Sequence, residues 1–156
     1  MSDIVRAGIT VTFERIFDAP RDLVFACWTD AKHLKAWWGP AGSHNGETRI
    51  DARPGGDIFI QMRGPGFDHP MGGTVEEIDP PHRLVFLSKA FPNADGSWQF
   101  INRNTVLFEE VGSRTRVKLH AEVLRASDEF AVPVDNMKEG WAGSLDRLHA
   151  HLAKVA

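Results

Sequence analysis

The chain has 156 residues, of which 42% are hydrophobic and 25% charged, with a formal net charge of −3. That length and balance describe one ordinary domain, able to bury roughly two-thirds of its unfolded surface without staples. A pI near 6.1, with Lys and Arg mixed among acids, excludes the basic field of a nucleic-acid or anionic-membrane binder. No apolar stretch is long enough to span a bilayer. The lone cysteine, Cys27, excludes an intramolecular disulfide. Met1-Ser2-Asp3-Ile4 lacks the basic and apolar regions of a signal peptide, so a reducing, cytoplasmic setting is expected.

In chain order, residues Ile9 to Phe17 alternate, with Ile9, Val11, Phe13 and Phe17 on one side and Thr10, Thr12 and Glu14 on the other. Period two with β-branched residues predicts a half-buried strand. Asp18-Ala19-Pro20 stops it, with Asp18 as N-cap of a helix running to Trp28 that turns Leu23, Val24, Cys27 and Trp28 inward. Thr29-Asp30 caps a second short helix over Ala31 to Trp37, ended by Gly39-Pro40.

Six strands should follow. They are Glu47–Asp51, Asp57–Arg63, a strand near Met71–Ile78, Arg83–Lys89, Trp98–Glu110 and Thr115–Leu124. The turns between them are marked by Pro54-Gly55-Gly56, Gly64-Pro65-Gly66, Asp79-Pro80-Pro81, Asn93-Ala94-Asp95-Gly96 and Gly112-Ser113. The period then changes. Met137, Trp141, Leu145, Leu148, Leu152 and Val155 form the stripe of an amphipathic helix, while Asp135, Lys138, Glu139, Asp146, Arg147 and Lys154 face away. Gly140 and Gly143 lower helix propensity and hint at close packing or a bend beside Trp141.

Strands joined by short turns form an antiparallel meander, and a sheet wet on one face must be covered on the other. The expected class is α+β: a curved sheet wrapped around a long C-terminal helix, with a cavity between them.

Specific words in the sequence carry a family resemblance. They are Phe17-Asp18-Ala19-Pro20 running into Val24-Phe25 and Trp28-Thr29-Asp30, then Trp37-Trp38-Gly39-Pro40 and Asp51-Ala52-Arg53-Pro54-Gly55-Gly56. Gly73-Thr74-Val75-Glu76-Glu77-Ile78, Pro81-His82-Arg83-Leu84-Val85-Phe86, Thr115-Arg116-Val117 and Gly140-Trp141 complete them. Over nearly its whole length the chain resembles the START-like (SRPBCC) superfamily, in its branch of activators of heat-shock-protein-90 ATPase homologues (AHSA-type). The resemblance implies a helix-grip fold with a pocket between sheet and long helix. Relatives in the superfamily bind lipids, hormones or polyketides, a few are enzymes, and the branch takes its name from a eukaryotic co-chaperone.

Within the strand Phe100–Phe108, parity places Phe100, Asn102 and Asn104 on the concave side with Val106 and Phe108. Two amides in an apolar interior need partners, because an unsatisfied buried amide costs roughly 1–3 kcal/mol. A ligand, water or backbone could supply them, or the strand end could simply be hydrated. Met62, Met71, Phe86, Met137 and Trp141 are expected to line the same space, with Trp38 at an entrance. Each of these taken singly is more readily core, and only their convergence with Asn102 and Asn104 points to a pocket. Cys27 reads as a buried structural thiol, with no His or acid positioned to activate it. His149 and His151, two apart on a helix, lack the i, i+4 pairing of helical metal sites, and no metal or cofactor is expected. His69 could reach the pocket rim or stand in solvent, and no carboxylate pair suggests a general acid and base.

Three functions follow in order of fit. The first is a non-enzymatic binding protein for a small apolar or aromatic molecule. The second is a protein-interaction module with a chaperone partner, recognised by an apolar patch on the outer face of the sheet. The third is a cavity enzyme of polyketide cyclase or hydrolase type, which needs a pocket group with a strongly shifted pKa. An exposed strand edge or Trp98 offers a homodimer contact.

Overall fold

The computed structural model describes residues 4–155; Met1–Asp3, on which the expectation about a signal peptide falls, and Ala156 lie outside the described residues. Ten elements follow one another: β1 (Thr10–Phe17), α1 (Arg21–Thr29), α2 (Ala31–Trp37), β2 (His44–Ile50), β3 (Asp57–Gly64), β4 (Phe67–Asp79), β5 (Arg83–Pro92), β6 (Trp98–Val111), β7 (Arg114–Ala126) and α3 (Val134–Val155). The seven strands make a single antiparallel sheet in the order β1-β7-β6-β5-β4-β3-β2. Hairpins therefore generate β2 to β7 as a meander, and β1 closes on β7 with Val11 opposite Ala121 and Phe17 opposite Thr115. The sheet curls around α3, which is the helix-grip arrangement expected from the order of elements.

Pleat parity decides what faces inward. Val11 and Phe17 of β1, Asn102, Asn104, Val106 and Phe108 of β6, and Val117, Leu119, Ala121 and Val123 of β7 are all buried. The opposite face is laced with ions: Glu14 and Glu109 each reach Arg116 and Lys118, and Arg103 lies between Glu76 and Glu122. Three register shifts curve the sheet, where β2 jumps from Asn45 to Thr48, β4 from Val75 to Glu77, and β7 opposite Ile101 and Asn102. A bulge bends its strand and raises the local twist, as wrapping around a helix requires.

Gly73 shows how tightly the strands meet. A Cβ there would stand 2.2 Å from the Leu87 carbonyl oxygen of the next strand, and one at Gly72 would stand 2.8 Å from the Trp98 indole. These glycines serve close approach in mid-strand rather than a turn. Trp98 is half-buried over Gly72, where the sequence suggested a loose aromatic.

The helices carry several corrections. The N-cap of α1 is Pro20, with no side-chain cap, and Asp18 instead lies 3.7 Å from Arg114. Phe25 of α1 is buried and Leu23 only partly so. Asp30 does cap α2, accepting from the Lys32 amide at 2.9 Å. Val155 is 43% exposed and does not continue the packed stripe. Arg147 is not a solvated charge. Its Nη1 donates to the carbonyls of Trp38, Gly39 and Pro40 and to Ser43 Oγ at 2.9, 3.1, 3.2 and 3.0 Å. Asn45 holds the same loop from the other side through its amide, donating to the carbonyls of Lys35 and Trp38.

Two expectations follow. Gly73→Ala drives a methyl into backbone and should lower stability by about 1–3 kcal/mol in urea unfolding. Arg147→Met keeps the apolar stem but leaves four acceptors without their shared donor. It should cost about 1.5–3 kcal/mol, with loosening of the 38–43 loop visible in hydrogen exchange.

Candidate functional site

The space between sheet and α3 is filled at one end and open at the other. At the filled end the Trp28 ring stands 4.7 Å from Trp37, 6.2 Å from Phe108, 6.3 Å from Phe86 and 6.4 Å from Trp141. A void of about 10 Å³ lies there, lined in part by Trp28, Phe86 and Leu84. At the open end lies a cavity of about 480 Å³, within the size range of small-molecule sites.

Four pieces of chain build this cavity. Strands β3 to β6 bring Met62, Met71, Ser88, Ala90, Phe100 and Asn102. One face of α3 brings Asn136, Met137, Gly140, Trp141 and Ser144, at the three- and four-residue spacings that put side chains on one stripe. The loop after α2 brings Trp38, Gly39 and Pro40, and the Arg147 clamp holds that loop. Val5 and Val132 close the far side, where the Val5 amide donates to the Val132 carbonyl at 2.8 Å.

Of the side chains expected to line a pocket, Trp38, Met62, Met71, Phe100, Asn102, Met137 and Trp141 converge on this cavity. Phe86 and Asn104 do not. Phe86 belongs to the packed end against Trp28 and Trp38. Asn104 lies behind the wall, fully buried, and its amide donates to Ser88 Oγ at 2.9 Å.

The wall is almost wholly apolar, which makes its polar atoms informative. Asn102 is 3% exposed, and its Oδ1 has no hydrogen-bond partner among the described residues. Ser88 Oγ accepts from Asn104 on the same wall. A bulge in β7 falls opposite Asn102, so sheet curvature and the polar point coincide. Among the described residues, the ionisable side chains lining the cavity are His69 and Lys89. Among the described residues no carboxylate or thiol joins them on the lining.

The mouth carries an aromatic series that was not legible in the sequence. His69 stacks on Phe67 with centroids 5.6 Å apart and meets Phe91 edge-on at 5.4 Å. Phe91 contacts Phe130 at 5.3 Å, and Phe130 stacks on Phe100 at 4.6 Å. His69 is thus both at the rim and exposed. Phe91 takes a left-handed backbone (φ 58°), costly for a bulky residue by about 1–2 kcal/mol, and this turns its ring between His69 and Phe130. Neither Phe91, beside a proline at a strand end, nor Phe130, in a connection, has a periodicity that could have flagged it.

Cys27 also has neighbours that its own helix did not suggest. The thiol is fully buried, and burial, aided by the Asp30 charge, pushes its pKa to about 12. His33 Nδ1 and His151 Nε2 meet at 2.8 Å beside it, on α2 and α3. Desolvation, then the charges of His33 and Lys154, holds the pKa of His151 below its ordinary value.

Known proteins match this arrangement. The AHSA1 protein from Silicibacter pomeroyi superposes with a TM-score of 0.79 at 27% identity, covering 95% of this chain and 100% of that one. A protein from Arthrobacter aurescens gives a TM-score of 0.83 at 22% identity over 97% and 91% of the two chains. One from Chromobacterium violaceum gives 0.78 at 23% over 92% and 96%. These last two likenesses concern the fold. No curated protein matches the chain. No helix among the described residues is long and apolar enough to cross a membrane. The family model described as Activator of Hsp90 ATPase homolog 1-like protein matches residues 18–153, the span that runs from the end of β1 through the cavity walls to α3, and the chain belongs to that family.

Proposed function

We propose that the protein binds a small, largely aromatic or apolar molecule carrying one hydrogen-bond donor, in the cavity between the sheet and α3. The observation that carries this is the Asn102 side-chain carbonyl oxygen, buried and without a partner among the described residues in a largely apolar wall. A ligand N–H or O–H placed there would satisfy an acceptor whose isolation costs about 1–3 kcal/mol. The rings of Phe100, Phe130, Trp38 and Trp141 suit a flat aromatic body, and Met62, Met71 and Met137 adapt to its outline.

The two other functions receive less support. A chaperone-type docking surface was expected as an apolar patch on the outer face of the sheet, and that face carries the Glu14–Arg116–Glu109–Lys118 ion cluster instead. An enzyme would need a shifted acid, base or nucleophile within the cavity, and its ionisable groups, His69 and Lys89, stand on the lining without such a partner set. A cytoplasmic setting, where a lone thiol stays reduced, fits the proposed role.

Two variants test the proposal. A Cβ at residue 140 meets nothing within 4 Å, so Gly140→Leu grows into the cavity without a backbone clash. It also removes a helix-interior glycine, worth about 0.5–1 kcal/mol in helix propensity. The expected result is an unchanged or higher Tm with affinity for a fluorescent naphthalene probe reduced at least tenfold. Equal probe binding by this variant would show that the cavity is not the site. Asn102→Leu should stabilise the protein and abolish its preference for 2-naphthol over naphthalene in competition titrations. A preference that survives the substitution would mean that Asn102 is not the acceptor of the ligand's proton donor.

A further inference from the structure

We infer that Cys27, His33 and His151 form a zinc-binding site at the junction of α1, α2 and α3, separate from the ligand cavity. Cys27 Sγ and one ring nitrogen from each histidine lie within 4.8 Å of one another. His151 is 118 residues from His33 in sequence, and the three residues sit on three different helices, so only tertiary packing completes the set. His151 is about two helical turns beyond Ser144, the last α3 residue on the cavity wall.

The chemistry of the set selects the ion. One sulfur and two imidazoles, without an oxygen donor, suit a borderline or soft transition metal and not Mg²⁺ or Ca²⁺. Zn²⁺ takes such ligands tetrahedrally, with Zn–S near 2.3 Å and Zn–N near 2.0–2.1 Å, which places the donor atoms roughly 3.3–3.6 Å apart. The His33–His151 separation of 2.8 Å must open slightly, and the remaining donors draw in from at most 4.8 Å. His33 and His151 are each partly exposed, so the site has an entry path and a fourth position that water can occupy.

Proton bookkeeping is simple. The short contact between the two rings requires a proton on one nitrogen and a lone pair on the other, so at least one ring already presents a free lone pair. Binding Zn²⁺ releases the Cys27 thiol proton to solvent, forming the S–Zn bond. The proton between the rings moves to the outer nitrogen of its own ring as both inner nitrogens coordinate. With both rings neutral, one proton leaves for each ion bound. The positive ion also answers the Asp30 charge that acts on Cys27.

The test is titration of the full-length, reduced protein with Zn²⁺ in competition with a chromophoric chelator, repeated with Co²⁺ for its spectrum. Expected are one equivalent of Zn²⁺, a rise in Tm, and a thiolate-to-cobalt charge-transfer band. His33→Gln and His151→Gln, at partly exposed positions, should each weaken binding at least tenfold and remove the Tm rise. Cys27→Ala should remove the charge-transfer band, and His149→Gln, whose ring lies toward Phe17, should change nothing. If Cys27→Ala does not fold, the two histidine variants still decide the matter. The inference is overturned by the absence of a stoichiometric site, by tight binding that survives in His33→Gln/His151→Gln, or by cobalt binding without the thiolate band.

Discussion

Trp28 occupies the point where α1, the sheet and α3 meet, and most of the architecture depends on how its indole is packed. It is 2% exposed and touches Trp37 of the next helix, Phe86 and Phe108 of the sheet, and Trp141 of the last helix. Edge-to-face and stacked aromatic pairs contribute about 0.5–1.5 kcal/mol each beyond the area they bury. One residue thus ties four elements together. Its ring nitrogen finds no hydrogen-bond partner among the described residues, while that of Trp37 donates to the Cys27 carbonyl at 2.8 Å. Apolar contact, rather than a polar anchor, holds Trp28 in place.

The cavity is the complement of that cluster. A sheet of seven strands curled around a helix of 22 residues encloses more volume than the inward side chains fill. Large aromatics consume the surplus at the Trp28 end. Toward the start of α3 the inward residues are Gly140, Ser144 and Met137, and the surplus stays open. Trp141 belongs to both regions, stacked on Trp28 and exposed to the cavity, so the packed end forms the floor of the open one. Arg147 then fixes the remaining wall by holding the Trp38–Ser43 loop to the helix.

Membership of the Hsp90-activator homologue family accounts for the framework. An outer face covered in ion pairs worth little individually is a solvated surface. A concave face that carries two buried amide oxygens without partners among the described residues, those of Asn102 and Asn104, is different, because burial without a partner is costly.

Much of the fold was legible in the residues. Period-two runs located the strands to within a few residues, and the Met137-to-Leu152 stripe located α3, because the two periodicities answer directly to one-sided burial. Parity within β6 placed Asn102 on the cavity wall for the same reason. It could not separate Asn102 from Asn104, which shares the concave face but sits one pleat deeper, behind Ser88. Nor could helical periodicity show that Arg147 turns back to the loop, that Phe91 and Phe130 meet at the mouth, or that His33 and His151 converge beside Cys27. Periodicity reports which way a side chain leaves its own element. What it then meets depends on the curvature of the sheet and the crossing of the helices, and those are set only when the whole chain has packed.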